Sequence, residues 1–227
     1  MQCWICGDEA TTGEHMAKAS DLRSMFGKIS ASAPLYMHTP TKRNQPVNGI
    51  KSDKLKYKFR LCPRCNNERT QPHDQAWEAL SGYLRSRQPP IRPGLTVRLT
   101  PVFPGSVNRS MLNVHLFFLK LFGCLIAENS VPLTLAEFSA CILKSEAHPR
   151  VHIAFWAHNE RRHLRYMAQS EMQVAELGGQ VAFASWFYYV GPLAINVMYA
   201  EPSERRQGLI HSWHPKNTTK LLHIRGQ

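Results

Sequence analysis

The chain has 227 residues, enough for one sizeable domain or two modest ones, and its 43% hydrophobic content excludes global disorder. A formal charge of +12 and a pI near 9.7 favour polyanionic partners without naming a reaction. Splitting the sequence after Pro90 leaves 14 Lys/Arg against 8 Asp/Glu on each side, which excludes a separate basic tail.

The chain opens on Cys3-Trp4-Ile5-Cys6 with no basic or apolar leader, so the thiols are expected in a reducing, cytoplasmic setting. Turn signals at Gly7-Asp8 and Gly13 predict a knuckle and short hairpin over residues 1–17, with Glu14-His15 at its end. Residues 18–57 carry scattered Pro, Gly, Ser, Thr and Lys and read as a long insertion loop with a short helical piece at 22–26. Its basic residues, Lys42 and Arg43 among them, suit either phosphates or plain solvation. Residues 57–61 alternate as a short strand entering Cys62-Pro63-Arg64-Cys65-Asn66-Asn67. A helical turn follows, which Pro72 is expected to interrupt. Asp74 is then a candidate N-cap for a helix over 75–87, apolar at Trp77, Leu80, Tyr83 and Leu84. The Pro- and Gly-rich stretch at 88–94 is the clearest break and predicts two domains, 1–88 and 89–227.

The second part predicts a strand at 95–103 and a long apolar helix at 110–127. A capping box at Thr134 and Glu137 opens a further helix that ends near Lys144. The apolar stretch at 111–127 carries Asn113, His115 and Lys120 and is short for a membrane span, so it reads as the core helix of a soluble protein. Cys124 and Cys141 read as small buried hydrophobes. Period-two patterns at 151–156, 180–190 and 193–199 predict strands, and residues beyond 201 read as loosely structured. The fold class expected is α+β with an antiparallel sheet.

Two C-x2-C knuckles supply four thiolates, Cys3, Cys6, Cys62 and Cys65, the donor set of a closed tetrahedral zinc. Such a zinc is structural, because the shell leaves no place for water. Between the knuckles, Glu14-His15 sets a carboxylate beside an imidazole able to take a proton from water. The amides of Asn66 and Asn67 suit either Mg2+ ligation, orientation of the imidazole, or capping of a helix.

In this order, Cys3-x2-Cys6, Glu14-His15 and Leu61-Cys62-x2-Cys65-Asn66-Asn67 resemble the HNH nuclease family with its ββα-metal finger, over roughly residues 1–85. The resemblance implies an N-terminal zinc-stapled ββα-metal domain that hydrolyses DNA, with double-stranded DNA as partner. It assigns His15 as general base, and Glu14 and Asn66 as ligands of a catalytic Mg2+ or another divalent cation. The cysteines would hold the structural Zn2+, and the products would be a 5′-phosphate and a 3′-hydroxyl. Two departures stand out. Residues 57–60 lack the Asn that often orients the base, so that role is open or falls to a backbone carbonyl. Thr70 stands where a final His often lies, leaving His73 as a candidate further ligand or a surface residue. Lys18 and Arg64 join Lys42 and Arg43 as candidate nucleic-acid contacts.

No Asp follows Asp74, which excludes a second carboxylate-rich centre of the two-metal kind. Arg161-Arg162-His163-x-Arg165 and Arg205-Arg206 are candidate phosphate contacts, or the charges of a soluble sheet edge. His211-x2-His214 reads as chance. Two other readings stay open: a zinc-stapled nucleic-acid-binding module without catalysis, and a protein-interaction domain on the four-cysteine structure.

Overall fold

The computed structural model describes residues 1–158, 165–202, 207–217 and 219–226. After the first knuckle come β1 (Thr12–His15), α1 (Ala19–Phe26), β2 (Leu35–Met37) and β3 (Gln45–Val47). The short helical piece expected at 22–26 is there and starts three residues earlier, while the rest of the expected loop contains a hairpin, with Leu35 opposite Val47. The hairpin strands, three residues each, are too short for local pattern to reveal, because their stability comes from packing. β4 (Lys56–Leu61) then pairs antiparallel with β1, Thr12 opposite Leu61 and His15 opposite Lys56, with a bulge between Gly13 and His15.

A π-helical turn at Arg64–Arg69 leads into α2 (Gln71–Ser86). Pro72 starts α2 rather than interrupting it, since a first-turn residue gives up only an N–H that lacks a helical partner. Asp74 is thus inside the first turn, and its carboxylate turns to lysines instead of capping.

The rest is β5 (Thr96–Arg98), α3 (Val107–Asn129), α4 (Leu135–Lys144), β6 (Val151–Ala157), β7 (Met167–Gln169), β8 (Gln173–Leu177), β9 (Gln180–Val190), β10 (Leu193–Ala200) and β11 (Leu221–Gly226). These strands form one sheet in the order β5-β11-β6-β10-β9-β7, with β8 also on β9. Every pairing is antiparallel except β11 with β6. The expected strand at 95–103 shrinks to three residues, and the Thr134 side chain caps nothing. The segment beyond 201 is not loose throughout, since β11 joins β5 to β6. Arg161, Arg162, His163, Arg205 and Arg206 lie outside the described residues.

α3 is long and apolar enough to cross a membrane by length and composition alone, yet most of it is buried in the protein. Trp77 of α2 stacks on Phe117 of α3 at 5.6 Å and meets Phe118 and Tyr188 edge-on. One cluster of buried side chains runs from Cys3 to Ile224, so the core is continuous across the break at 88–94. The two knuckles together with β1 and β4 form a small unit, the finger, and two further contacts seat it on α3. Glu128 Oε2 accepts the Lys58 N–H at 2.7 Å, and the Trp4 indole lies where a Cβ on Gly123 would meet it at 2.5 Å.

Asp21 of α1 is fully buried and accepts from Trp77 Nε1 (2.8 Å), Ser81 Oγ (2.7 Å), Arg85 Nη2 (2.9 Å) and Tyr188 OH (2.9 Å). Burying a carboxylate is tolerated when its lone pairs are met in this way. The hub fixes the inserted helix against α2 and β9 together.

Four imidazoles gather on the far side of α3. His148 N–H donates to His115 Nε2, Arg150 N–H to His148 Nδ1, and Lys216 N–H to His214 Nδ1. Each bond occupies a ring lone pair, which holds the three rings neutral. Burial pushes His115 and His214 below the ordinary histidine value, His148 to about 3 and His152 to about 4.

Gly123→Ala should therefore lower the unfolding free energy in urea by about 1–3 kcal/mol. Added to Trp4→Ala, it should cost no further stability. The histidines set a direction with pH. In the unfolded chain they take protons near pH 6.5, whereas in the fold they resist, so the unfolded state binds more protons as the pH falls. Their contribution is full above about pH 6.5 and is lost toward pH 4. Urea midpoints should fall between pH 7.5 and 5.5, and His148→Gln should flatten that dependence; an unchanged slope refutes the assignment.

Candidate functional site

The two knuckles meet. The Sγ atoms of Cys3, Cys6, Cys62 and Cys65 all lie within 4.8 Å of one another, and Cys6 and Cys62 approach to 3.4 Å. A tetrahedral zinc with Zn–S bonds of about 2.3 Å sets its sulfurs about 3.8 Å apart, so the cluster fits a structural zinc. The first knuckle is closed by backbone bonds from Gly7 N–H to Cys3 O and from Cys3 N–H to Asp8 O, both 2.8 Å, with Gly7 at φ 83°. The second lies where β4 runs into the π-helical turn, and Cys65 N–H donates to Cys62 Sγ at 3.3 Å. Arg69 Nη1 donates to Cys65 Sγ at 2.7 Å, a contact suited to a thiolate.

His15 stands beyond the bulge in β1. Its Nε2 lies 2.9 Å from the Ile50 carbonyl, which can only accept, so the proton sits on Nε2 and the lone pair on Nδ1. Among the described residues nothing hydrogen-bonds Nδ1. The carbonyl comes from the insertion, between β3 and β4.

The orientation of Asn66 is also determined. The Thr12 hydroxyl donates to Leu61 O at 2.9 Å and must therefore accept at its other side, where Asn66 Nδ2 donates at 3.1 Å. Asn66 Oδ1 is left buried with no partner among the described residues. Lys18, Asn66, Asn67, Gln71, Asp74 and Glu78 share the lining of a cleft of about 370 Å³.

Beneath this cleft lies a buried ion cluster. Lys120 of α3 is fully buried, with its Nζ 3.1 Å from Glu14 Oε1, 3.1 Å from Asp74 Oδ1 and 3.3 Å from Thr70 Oγ1. Burial by itself would lower the Lys120 pKa, but Glu14 and Asp74 raise it above the ordinary lysine value. Burial raises the Glu14 pKa, and the ammonium beside it opposes the rise. Lys18 Nζ bridges Asp74 Oδ2 at 3.4 Å and Glu78 Oε1 at 3.2 Å.

The remaining sequence candidates separate from this group. His73 is buried in the core, not on the surface; burial and the Lys120 charge push it down to about 4, so it is neutral. The cysteines are the one set of three or more His, Cys, Asp or Glu ligands that converges among the described residues. His73 therefore joins Glu14 and Asp74 in no ready-made ligand set. Arg64 is exposed on the π-helical turn, and Lys42 and Arg43 are exposed in the loop between β2 and β3. Sequence reasoning missed Lys120, Thr12 and the Ile50 carbonyl, and took Asp74 as a cap. A lysine inside an apolar helix was the one signal available. No protein-family model, curated protein or solved structure matches this chain.

The purified protein should carry one zinc per chain. Cys62→Ser should lose the metal and, with it, the thermal transition of the finger, since zinc supplies on the order of 10 kcal/mol to folds of this size. Metal analysis and a melting curve check both.

Proposed function

We propose that this chain is a metal-dependent endonuclease of the HNH type that hydrolyses phosphodiester bonds in double-stranded DNA. The observation that carries the reading is His15, held in one tautomer by the Ile50 carbonyl with its Nδ1 lone pair uncommitted among the described residues. That is the arrangement a general base needs: an oriented ring, an anchored N–H and a lone pair for water. Support also comes from the strand pair β1–β4, which sets Thr12 opposite Leu61 at the second knuckle and carries Glu14-His15 on the same strand, and from the charge of +12.

The oxygens of Glu14 and Asn66 would hold the divalent cation. They fit it in donor chemistry, being hard ligands of which Asn66 Oδ1 is buried without a partner. When bound, the cation offsets charge that develops on the phosphate and on the leaving oxygen. His15 Nδ1 takes a proton as the water oxygen attacks phosphorus. The bond from phosphorus to the 3′ oxygen breaks, and that oxygen takes a proton from solvent. A 5′-phosphate and a 3′-hydroxyl result. Thr12 keeps Asn66 Oδ1 directed away from the strand pair, and the bulge before His15 shifts the register of its strand so that the ring meets Ile50.

A second reading, a zinc-stapled nucleic-acid-binding module without catalysis, draws on one observation: Glu14 already shares a lysine with Asp74. Supercoiled plasmid separates the two. The endonuclease reading expects Mg2+- or Mn2+-dependent nicking or linearisation, and His15→Ala should slow it by about 10²–10⁴. Zinc content, melting and DNA affinity should be unchanged in that variant. Intact plasmid with the wild-type protein leaves the binding module standing.

A further inference from the structure

Lys120 is a fully buried cation on the core helix. Its ammonium has three N–H bonds, and three oxygens stand around it: Glu14 Oε1, Asp74 Oδ1 and Thr70 Oγ1, all within 3.3 Å. The Phe117 ring closes one side with its centroid 5.9 Å away, and the side chain is fully buried. Two anionic oxygens and one hydroxyl oxygen around a cation make a cation seat, here filled by a side chain. Helix α3 belongs to the large core, so the occupant is delivered by the scaffold and not by the finger.

We propose that Lys120 acts as an internal cation in the seat between Glu14 and Asp74, and that its charge holds the divalent-ion affinity of the centre low. The proposal rests on the reading of Glu14 as a ligand of the catalytic ion. Near the seat, the carboxylates of Glu14, Asp74 and Glu78 face the ammonium groups of Lys120 and Lys18, leaving one net negative charge. A divalent ion beside Asn66 meets only that small net charge, because the buried ammonium cancels one carboxylate. Neutralising Lys120 doubles the net negative charge, in surroundings where charges act more strongly than in water. Lys120 is thus a positioning residue: it fixes the Glu14 and Asp74 carboxylates without contact with substrate.

The experiment is a Mn2+ titration of the zinc-loaded full chain without nucleic acid, followed by calorimetry and by the loss of the free-Mn2+ resonance signal. Wild type should bind weakly, in the millimolar range. Lys120→Met should bind at least tenfold more tightly, and Lys120→Arg, which keeps the charge, should resemble wild type. Adding Glu14→Gln to Lys120→Met should abolish the gain. Because DNA is absent, the result does not depend on whether the chain cuts DNA; failure of the endonuclease reading would appear only in the plasmid assay. Unchanged or weaker Mn2+ binding in Lys120→Met overturns the proposal. Lys120→Gln, whose amide still donates to the carboxylates, is the second neutral variant and should show the same gain. Should neither neutral variant keep its zinc and melting transition, micromolar Mn2+ binding by wild type overturns the proposal.

Discussion

A single ammonium buried between β1, α2 and α3 determines how the two parts of this chain fit together. Lys120 reaches from the core helix to Glu14 on one side and Asp74 on the other, with Thr70 completing its shell. Removing an ammonium from water costs several kcal/mol, which only well-placed opposite charges offset. The converse also holds. Glu14 and Asp74 can turn inward only because α3 brings a cation to meet them. The contact therefore joins the finger to the core by charge, where its apolar neighbours, the Trp77–Phe117 stack and the Trp4–Gly123 contact, do so by shape.

Two clamps of different chemistry support this junction. The thiolate cluster ties the first knuckle to the end of β4 across more than fifty residues of sequence. Asp21 ties α1 to α2 and β9 through four donors. The cysteine cluster acts within the finger, and Asp21 acts between the insertion and the sheet. His15 ends β1 and Lys18 precedes α1, so both stand on the short stretch of chain that joins the two clamped regions.

Much of this was legible in the sequence, for reasons that can be named. The knuckles carry their own spacing. β9 and β10 are long enough for period two to emerge, and α3 is apolar over several turns. What stayed hidden depends on partners distant in sequence. Lys120 reads as a polar blemish until Glu14 and Asp74 are placed beside it. Asp21 reads as a surface residue until Tyr188, 167 positions away, donates to it. Pro72 looks like a breaker unless the helix is known to start at Gln71. In β11 the alternation is present, with Leu222 and Ile224 inward, but six residues offer little signal without β5 and β6 on either side. Within the site, the knuckles and Glu14-His15-Asn66 form a sequence pattern, whereas the carbonyl that orients the ring has no side chain to leave one.

That carbonyl gives the insertion an uneven tolerance for change. Ile50 lies near its end, only a few residues before β4, and its backbone position decides which nitrogen of His15 carries the proton. The loop between β2 and β3 is exposed, and length added there would pass into solvent and leave Ile50 in place. Between β3 and β4 the same addition would move the carbonyl and free the ring to turn. The stretch that read as one long insertion loop is thus divided into a freely variable tip and a stem whose length is set by a proton.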